Sequence, residues 1–422
     1  MNNFEIPYTP GKNISFELPI NIRGDVFEPT QIKANSNPEA LIMKAIQSPL
    51  GCKRIEESVS SKDKILIVCD DITRPTPTKI IISIIIERLH QVGISDNQIE
   101  ILFALGTHRP MTDKEMRVKV GDNIFECVSC HNHNAYDKNE LEYYGNSREG
   151  IPVWLNRRLK EANYVIGIGD IVPHPIAGFS GGAKILYPGI AGEETIGGFH
   201  VSFGLDPDNH YGSFSAPSRE SIHELAAVAG LDFLVNTIIN EDAEIVEIFA
   251  GNYLDVYKQG IEVARKVYGV PTKKLYDIVI ASSFPAWLEF WQGGKGIYAA
   301  ATLAKPNAEI ILATACPEGI ARTHPDFGPS IGEDPNKVVK KLRERTYIDA
   351  IGAAIAVKLG RLRPIYHISL VSQGLTQEDT DLMGFSWYPD IQIALQDALR
   401  RKGNPKEIGI IPYGGHTFCY IE

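Results

Sequence analysis

The chain has 422 residues, 44% of them hydrophobic, which is enough for two domains that each bury a core. Its 52 acidic residues outnumber its 42 basic ones, and a net charge of -10 gives no electrostatic reason for binding nucleic acid. The N-terminus lacks a basic start followed by an apolar stretch, and the longest apolar run, 80–86, is far too short to cross a bilayer. We therefore expect a cytoplasmic protein without nucleic acid or membrane as a partner. A few local cations could still bind a small anionic substrate, and the oligomeric state is left open.

Prolines limit helix in the first 60 residues to a short piece over 38–47. We expect this part of the chain to be irregular and to wrap a core that later residues build.

The first clear strand covers 64–69, a continuous apolar run of the kind buried on both faces of a parallel sheet. It leads into DDITRPTP at 70–77, and ligands of open α/β sheets gather at the carboxyl ends of strands. Asp71, Thr73 and Arg74 are therefore candidate ligand-binding residues. Arg74 is the best of them, because a guanidinium holds carboxylate or phosphate with two hydrogen bonds. The alternative is a capping aspartate and a turn before a helix over 78–92.

A second strand, over 99–105, also ends in a polar cluster, THRPMT at 107–112. The helix that follows is predicted over 112–120, with Thr112 as its N-cap and Glu115 at the capping-box spacing. His108 is thus placed at the same sheet edge as Arg74. The alternative is a structural or surface histidine.

A third buried strand, over 164–170, precedes a glycine-rich segment with a lysine and two histidines, His174 and His200. Gly178, Gly181 and Gly182 could bring backbone N–H groups close to a phosphate, with the Lys184 ammonium in reach. The segment is not a Walker A loop, because Ile185 follows the lysine where a hydroxyl residue would hold magnesium. The alternative is a glycine-rich turn that feeds a helix, with an ordinary surface lysine.

The rest of the chain predicts a strand pair over 231–239 and 244–249, a helix over 254–268 and a break at 270–271. A second α/β series then begins, with strands over 276–281, 309–314, 365–371 and 407–412 and helices over 296–303, 336–345, 350–362 and 389–401. Trp291, Gln292 and Lys295 lie in a glycine-rich loop after its first strand. The alternative for Gln292 and Lys295 is a helix N-terminus with a solvent lysine.

These patterns predict an α/β protein of two domains, each with a largely parallel sheet flanked by helices, and an active site in the cleft between them. We place the N-terminal domain at 1–269, rejoined by 408–422, and the C-terminal domain at 270–407.

The segments DDITRP, THRPMT, PHPIAGFSGGAK (173–184) and QGGK (292–295), together with His200, resemble the nickel-pincer-dependent lactate racemase family of 2-hydroxyacid racemases and epimerases. The resemblance runs from about residue 60 to the C-terminus, in matching order and spacing. It implies inversion of C2 of a 2-hydroxy acid by reversible hydride transfer, with lactate as the default substrate. Malate, a larger aliphatic or aromatic hydroxy acid and a sugar acid stay open.

The resemblance also implies a role for each matching residue. The cofactor would be nickel in a pyridinium-3-thioamide-5-thiocarboxylic acid mononucleotide, joined to Lys184, with His200 as the metal ligand and other proteins needed for its synthesis. Its phosphate would lie at Ser180–Gly182 and at Asp71–Arg74. His108 and His174 would be the acid/base groups. Arg74, Gln292 and Lys295 would hold the substrate, with Trp291 beside them.

Two other functions suit the same residues. A pyridoxal-phosphate enzyme could use Lys184 as its Schiff-base lysine. A non-catalytic nickel-binding or cofactor-binding protein would not explain two further histidines beside a carboxylate clamp.

Overall fold

A computed structural model describes residues 1–34, 36–206, 208–403 and 405–422. The strands are β1 (Asn2–Thr9), β2 (Lys12–Leu18), β3 (Arg23–Val26), β4 (Ile65–Asp70), β5 (Ile99–Ala104), β6 (Ser129–Asn132), β7 (Leu141–Asn146), β8 (Pro152–Asn156), β9 (Tyr164–Asp170), β10 (Pro173–His174), β11 (Gly178–Phe179), β12 (Phe233–Ile239), β13 (Ile245–Gly251), β14 (Gly269–Thr272), β15 (Tyr276–Ser282), β16 (Ala304–Ala313), β17 (His367–Val371), β18 (Ser386–Tyr388), β19 (Glu407–Ile411) and β20 (Phe418–Ile421). The helices are α1 (Pro38–Gln47), α2 (Ile55–Ser58), α3 (Thr78–Gln91), α4 (Asp113–Val120), α5 (Asp122–Cys127), α6 (Arg158–Glu161), α7 (Glu193–Gly204), α8 (Ser218–Ala229), α9 (Tyr253–Tyr268), α10 (Phe290–Gly293), α11 (Lys295–Ala301), α12 (Phe327–Gly332), α13 (Pro335–Arg343), α14 (Ala350–Gly360), α15 (Gln377–Met383) and α16 (Ile391–Lys402). Within these ranges no helix is both long and apolar enough to span a bilayer.

The first sheet has the strand order β13-β12-β9-β4-β5-β6 and is parallel except for β13. Every residue of β4, β9 and β12 is buried, which explains why these strands read as continuous apolar runs. Since β9, β4 and β5 are adjacent and parallel, their carboxyl ends lie side by side. The segments after residues 70, 104 and 170 therefore meet at one edge.

The second sheet has the order β18-β17-β16-β15-β19-β3, and all of its strands are parallel. The prediction of an α/β fold with two largely parallel sheets flanked by helices is confirmed.

The C-terminal strands pair outside the first sheet, and the assignment of 408–422 to the N-terminal domain stays a prediction. Strand β19 pairs with β15 and β3 of the second sheet, and β20 pairs with β14, so the strands of 408–422 do not rejoin the first sheet. A five-residue apolar strand fits any parallel sheet, and only packing selects its neighbours. The boundary at 269/270 stays a prediction.

The N-terminus differs as well, because residues 2–26 are not irregular. Strands β1 and β2 form an antiparallel hairpin with its own alternation of buried and exposed residues, and β3 is an edge strand of the second sheet. Ile6, Phe16 and Leu18 are buried against the second sheet and α16. Pro7 lies in β1, a strand with only one partner in its sheet, where its missing N–H costs no ladder hydrogen bond. The predicted helix over 38–47 is confirmed as α1.

Candidate active site

A cavity of about 170 Å³ lies where segments from the two sheets face each other. Most of the predicted site residues line it: Asp71, Arg74, His108, His174, Ser180, Gly181, Lys184, His200, Trp291, Gln292 and Lys295. Thr73 and Gly182 do not line this cavity. Four segments that are far apart in sequence thus contribute to one cavity.

Four side chains form a hydrogen-bonded chain across this cavity. His108 Nδ1 lies 2.6 Å from Asp71 Oδ2, and Gln292 Nε2 lies 3.1 Å from His108 Nε2. Arg74 Nη1 donates to Gln292 Oε1 at 3.0 Å, which directs the Gln292 amide nitrogen towards the histidine. The Asp71 carboxylate accepts from Nδ1–H, so the neutral His108 ring has its lone pair on Nε2. His108 is therefore arranged to accept a proton.

Asp71 stays ionised in this arrangement. Burial alone would raise the pKa of its carboxyl, but the charge that His108 carries when protonated, the hydrogen bond from His108 and the charge of Arg74 outweigh burial and hold the pKa below its usual value. The backbone N–H and the hydroxyl of Thr73 donate to Asp71 Oδ1 at 2.8 and 2.5 Å. The Thr73 hydroxyl thus serves Asp71 and is not presented to a ligand.

His174 is in the opposite tautomer. Its Nδ1 accepts the backbone N–H groups of Ile176 and Ala177, each at 3.2 Å, so the neutral ring carries its proton on Nε2. Burial, with the charges of Lys184 and Lys295, holds the pKa of His174 well below its usual value. In this state His174 presents an N–H donor at Nε2, whereas His108 presents an acceptor there.

Lys184 belongs to a short 3-10 turn, Gly182–Ile185, that follows two glycines with left-handed backbone. At Gly181, φ is +74° and a Cβ would lie 2.5 Å from Ile171 Cγ1, so only glycine fits. Burial lowers the pKa of Lys184 to about 7, and the charges of Arg74 and Arg219 act in the same direction. A large fraction of this amine is uncharged, and hence nucleophilic, at neutral pH.

Two of the polar groups that the sequence suggested for a phosphate are bonded within the protein. The Ser180 hydroxyl donates to the Asp170 carbonyl at 3.0 Å and accepts from Val172 N–H at 2.8 Å. Gly182 N–H donates to Asn236 Oδ1 at 2.7 Å. A backbone N–H already bonded inside the protein cannot cradle a ligand as well, so Ser180 and Gly182 act by shaping the loop.

His200 lies on α7 and faces the cavity with an unsatisfied ring. Its Nδ1 is buried without a hydrogen-bond partner among the described residues. Burial, with the charge of Lys184, lowers the pKa of His200 to about 3. The ring is therefore neutral, which is the form that binds a metal. No group of three or more His, Cys, Asp and Glu side chains within the described ranges could hold a metal ion, so a metal at His200 would need donors from a bound molecule.

Comparisons with known proteins identify the family. A family model described as the lactate racemase N-terminal domain matches residues 10–212. The lactate racemase of Thermoanaerobacterium thermosaccharolyticum is 30% identical over 426 residues, with 98% of each chain covered. The chain belongs to the lactate racemase family. It is an isomerase of the racemase class.

Further relatives of this lactate racemase family member support the fold. The lactate racemase of Lactiplantibacillus plantarum is 29% identical, covering 88% of this chain and 89% of the relative. The structure of the lactate racemase apoprotein from T. thermosaccharolyticum superposes with a TM-score of 0.87 at 27% identity, covering 99% of this chain and all of the other. A crystal structure of a Thermotoga maritima protein, with a TM-score of 0.72 and 20% identity over 92% of this chain, shares the fold.

The structure also adds residues that the sequence analysis missed. Asp170 and Lys358 line the cavity, and the buried Arg219 guanidinium donates to the carbonyls of Ala177, Ser180 and Gly181. Asp170 could have been found, since it ends a predicted strand at the same edge. Lys358 is the single charged residue of α14, which is a weak signal. Nothing in the sequence around Arg219 separates it from a surface helix residue.

Proposed function

We propose that this family member racemises lactate by reversible hydride transfer, with a nickel-pincer nucleotide held by Lys184 and His200. The observation that carries the proposal is the convergence on one cavity of an amine with a pKa of about 7, a neutral histidine with an unpartnered nitrogen, and the Asp71–His108–Gln292–Arg74 chain. Relatives over nearly the whole chain are named lactate racemases.

The residues present fit the cofactor. The uncharged Lys184 amine would form the covalent link, and His200 would supply the protein's ligand to nickel, since imidazole nitrogen suits this metal. When bound, the group would accept a hydride from C2 of the substrate and return it. The proteins that synthesise the nucleotide would have to load it, and we place the enzyme in the cytoplasm.

The side chains of this chain would do the remaining work. Arg74 and Lys295 would hold the substrate carboxylate, because both present N–H donors on the cavity wall and the Arg74 guanidinium is a cation. Burial, with the charge of Arg74, holds the pKa of Lys295 well below its usual value, so Lys295 would act mainly as a hydrogen-bond donor. The substrate hydroxyl would replace the Gln292 amide as the donor to His108 Nε2. His108 would take the hydroxyl proton, and the Asp71 carboxylate would stabilise the imidazolium.

His174 would be the acid/base group for the hydroxyl of the opposite substrate enantiomer, which binds with its other face towards the cofactor. To accept a proton through Nε2, the neutral ring must first carry its own proton on Nδ1, which breaks the hydrogen bonds from the two backbone N–H groups. The two directions of the reaction would therefore start from different tautomers of the two histidines. Trp291 would form one wall beside the substrate.

Isotope transfer tests the proposed chemistry. Lactate deuterated at C2, incubated in ordinary water with protein purified in its loaded form from its native host, should give the opposite enantiomer with most of its deuterium retained. A hydride does not exchange with water, whereas a C2 proton taken by a histidine would. Protein made without the loading machinery is the control and should not racemise. Complete washout of deuterium during turnover would contradict the proposal.

Replacing His200 tests the metal ligand. His200→Ala should keep the organic adduct on Lys184, by intact mass, while its nickel content, by elemental analysis, falls well below that of the unmodified protein. His223→Ala is the matched control, because His223 also has burial as the main cause of a lowered pKa, about 4, and an unpartnered ring nitrogen, but lies outside the cavity. Full nickel occupancy in His200→Ala would show that another donor binds the metal.

A further inference from the structure

The segment that carries His108 is held by side chains that follow the second sheet's strand β16. Thr107 Oγ1 lies 2.9 Å from His324 Nε2, and the Thr323 hydroxyl donates to the Thr107 carbonyl at 3.1 Å. On the other side of His108, the Arg109 guanidinium donates to both Glu318 carboxylate oxygens at 3.0 Å. Both neighbours of His108 are therefore fixed by residues between 318 and 324.

His324 is itself fixed in orientation. It is 2% exposed, and its Nδ1 lies 3.1 and 3.2 Å from the two Asp349 carboxylate oxygens. Asp349 also accepts from Gly352 N–H at 2.9 Å as the N-cap of α14, which restricts the carboxylate. Because a carboxylate can only accept, Nδ1 carries a proton, and the neutral ring has a lone pair on Nε2 for the Thr107 hydroxyl.

The flat face of His324 makes a second contact. Trp291 stacks on it with ring centroids 4.0 Å apart and planes at 10°, and Phe327 packs edge-on against the same indole at 4.8 Å. Trp291 directly precedes Gln292, whose side chain meets His108 at 3.1 Å. His324 thus contacts the residue next to each partner of the His108–Gln292 hydrogen bond.

We infer that His324 is a positioning residue for His108, acting through Thr107 on one side and Trp291 on the other. This inference rests on the proposed function, in which His108 takes the substrate's proton. The hydrogen bond to Asp71 fixes only one ring nitrogen of His108. The position of the other, Nε2, relative to a substrate bound by Gln292 and Lys295 depends on how the segment that carries His108 lies against the segment that carries Gln292. A displacement of about 1 Å at such a site can cost about 100-fold in rate.

Two variants test this role. Thr107→Val keeps the shape of the side chain and removes the hydroxyl, while His324→Phe keeps a ring on Trp291 and removes both hydrogen bonds. In the loaded enzyme, Thr107→Val should lower kcat about tenfold, with KM changed less than about threefold, since the lost interaction orients an acid/base group and does not bind substrate. The double variant should be no slower than His324→Phe alone, because the two residues act through one contact.

A second readout does not depend on activity. Amide hydrogen exchange of peptides covering 105–112 and 289–293 should be faster in both variants than in the unmodified protein. Thr380→Val is the matched control: this threonine is also buried, and its hydroxyl bonds the Gln377 carbonyl within α15. It should change neither kcat nor exchange in those peptides. If His324→Phe does not fold, the comparison of kcat and amide exchange between Thr107→Val and Thr380→Val still tests the positioning role.

The outcomes separate this inference from the proposed function. If the unmodified loaded protein racemises lactate but Thr107→Val leaves kcat and exchange unchanged, the positioning role is wrong. Additive losses in the double variant would also overturn it. If the unmodified loaded protein does not racemise lactate, the proposed function fails, while faster exchange in the variants would still establish the contact that holds the Thr107 segment.

Discussion

Lys184→Arg should abolish both the covalent adduct and turnover. Arginine keeps a positive charge in the cavity but stays protonated at any pH near neutral, so it offers no nucleophile for the cofactor. The native lysine is suited to this reaction because burial, helped by Arg74 and Arg219, lowers its pKa to about 7. Intact mass of protein from the native host would show the adduct in the unmodified chain and its loss in the variant, and a racemisation assay would show the loss of activity.

Lys358→Arg is the matched control for that experiment. Lys358 also lines the cavity, and burial lowers its pKa to about 8, but its ammonium donates to the carbonyls of Asp206 and Asp208 at 3.2 and 2.6 Å. This control should keep the adduct mass. An adduct that persists in Lys184→Arg would contradict the assignment, and an adduct released by hydroxylamine would instead indicate the pyridoxal-phosphate alternative.

His108→Ala should lower turnover by at least about 100-fold, the usual scale of general acid–base catalysis. The ring is the acceptor in the chain from Arg74 to Asp71. His324 is also held by a carboxylate at Nδ1, but its Nε2 is bonded to the Thr107 hydroxyl. Racemisation in both directions, followed by chiral chromatography, measures the loss. Asp71→Asn should produce a loss of similar size, because an amide no longer selects the tautomer with the proton on Nδ1.

The losses in turnover caused by His108→Ala and Asp71→Asn should not add in the double variant, since both changes disrupt the same Asp71–His108 pair. His90→Ala is the control, because His90 is a surface histidine paired with Asp96 through its Nε2. Turnover of His108→Ala within a few-fold of the unmodified enzyme would return His108 to a structural role.

The local patterns of the sequence determined the elements and the edge at which the site lies. Largely apolar runs fixed β4, β5 and β9, because a strand covered on both faces carries few polar residues. Thr112 and Glu115 fixed the start of α4, whose capping box is present in the structure. The motif positions after these strands predicted that Asp71, His108 and His174 would lie together, which strand adjacency explains.

Tertiary structure alone decided what depends on partners distant in sequence. Packing decides which sheet β19 joins, which strand β3 pairs with, and that β1 and β2 form a hairpin. The sequence of a short strand does not specify its neighbours in a sheet. The same holds within the site. The Ser180 hydroxyl and the Gly182 N–H are bonded to Asp170 and Asn236 and not left for a ligand, and the His324 contact with Thr107 joins residues 217 positions apart. A motif determines which chemical groups are available, but whether each is free, bonded or buried depends on side chains that the motif does not contain.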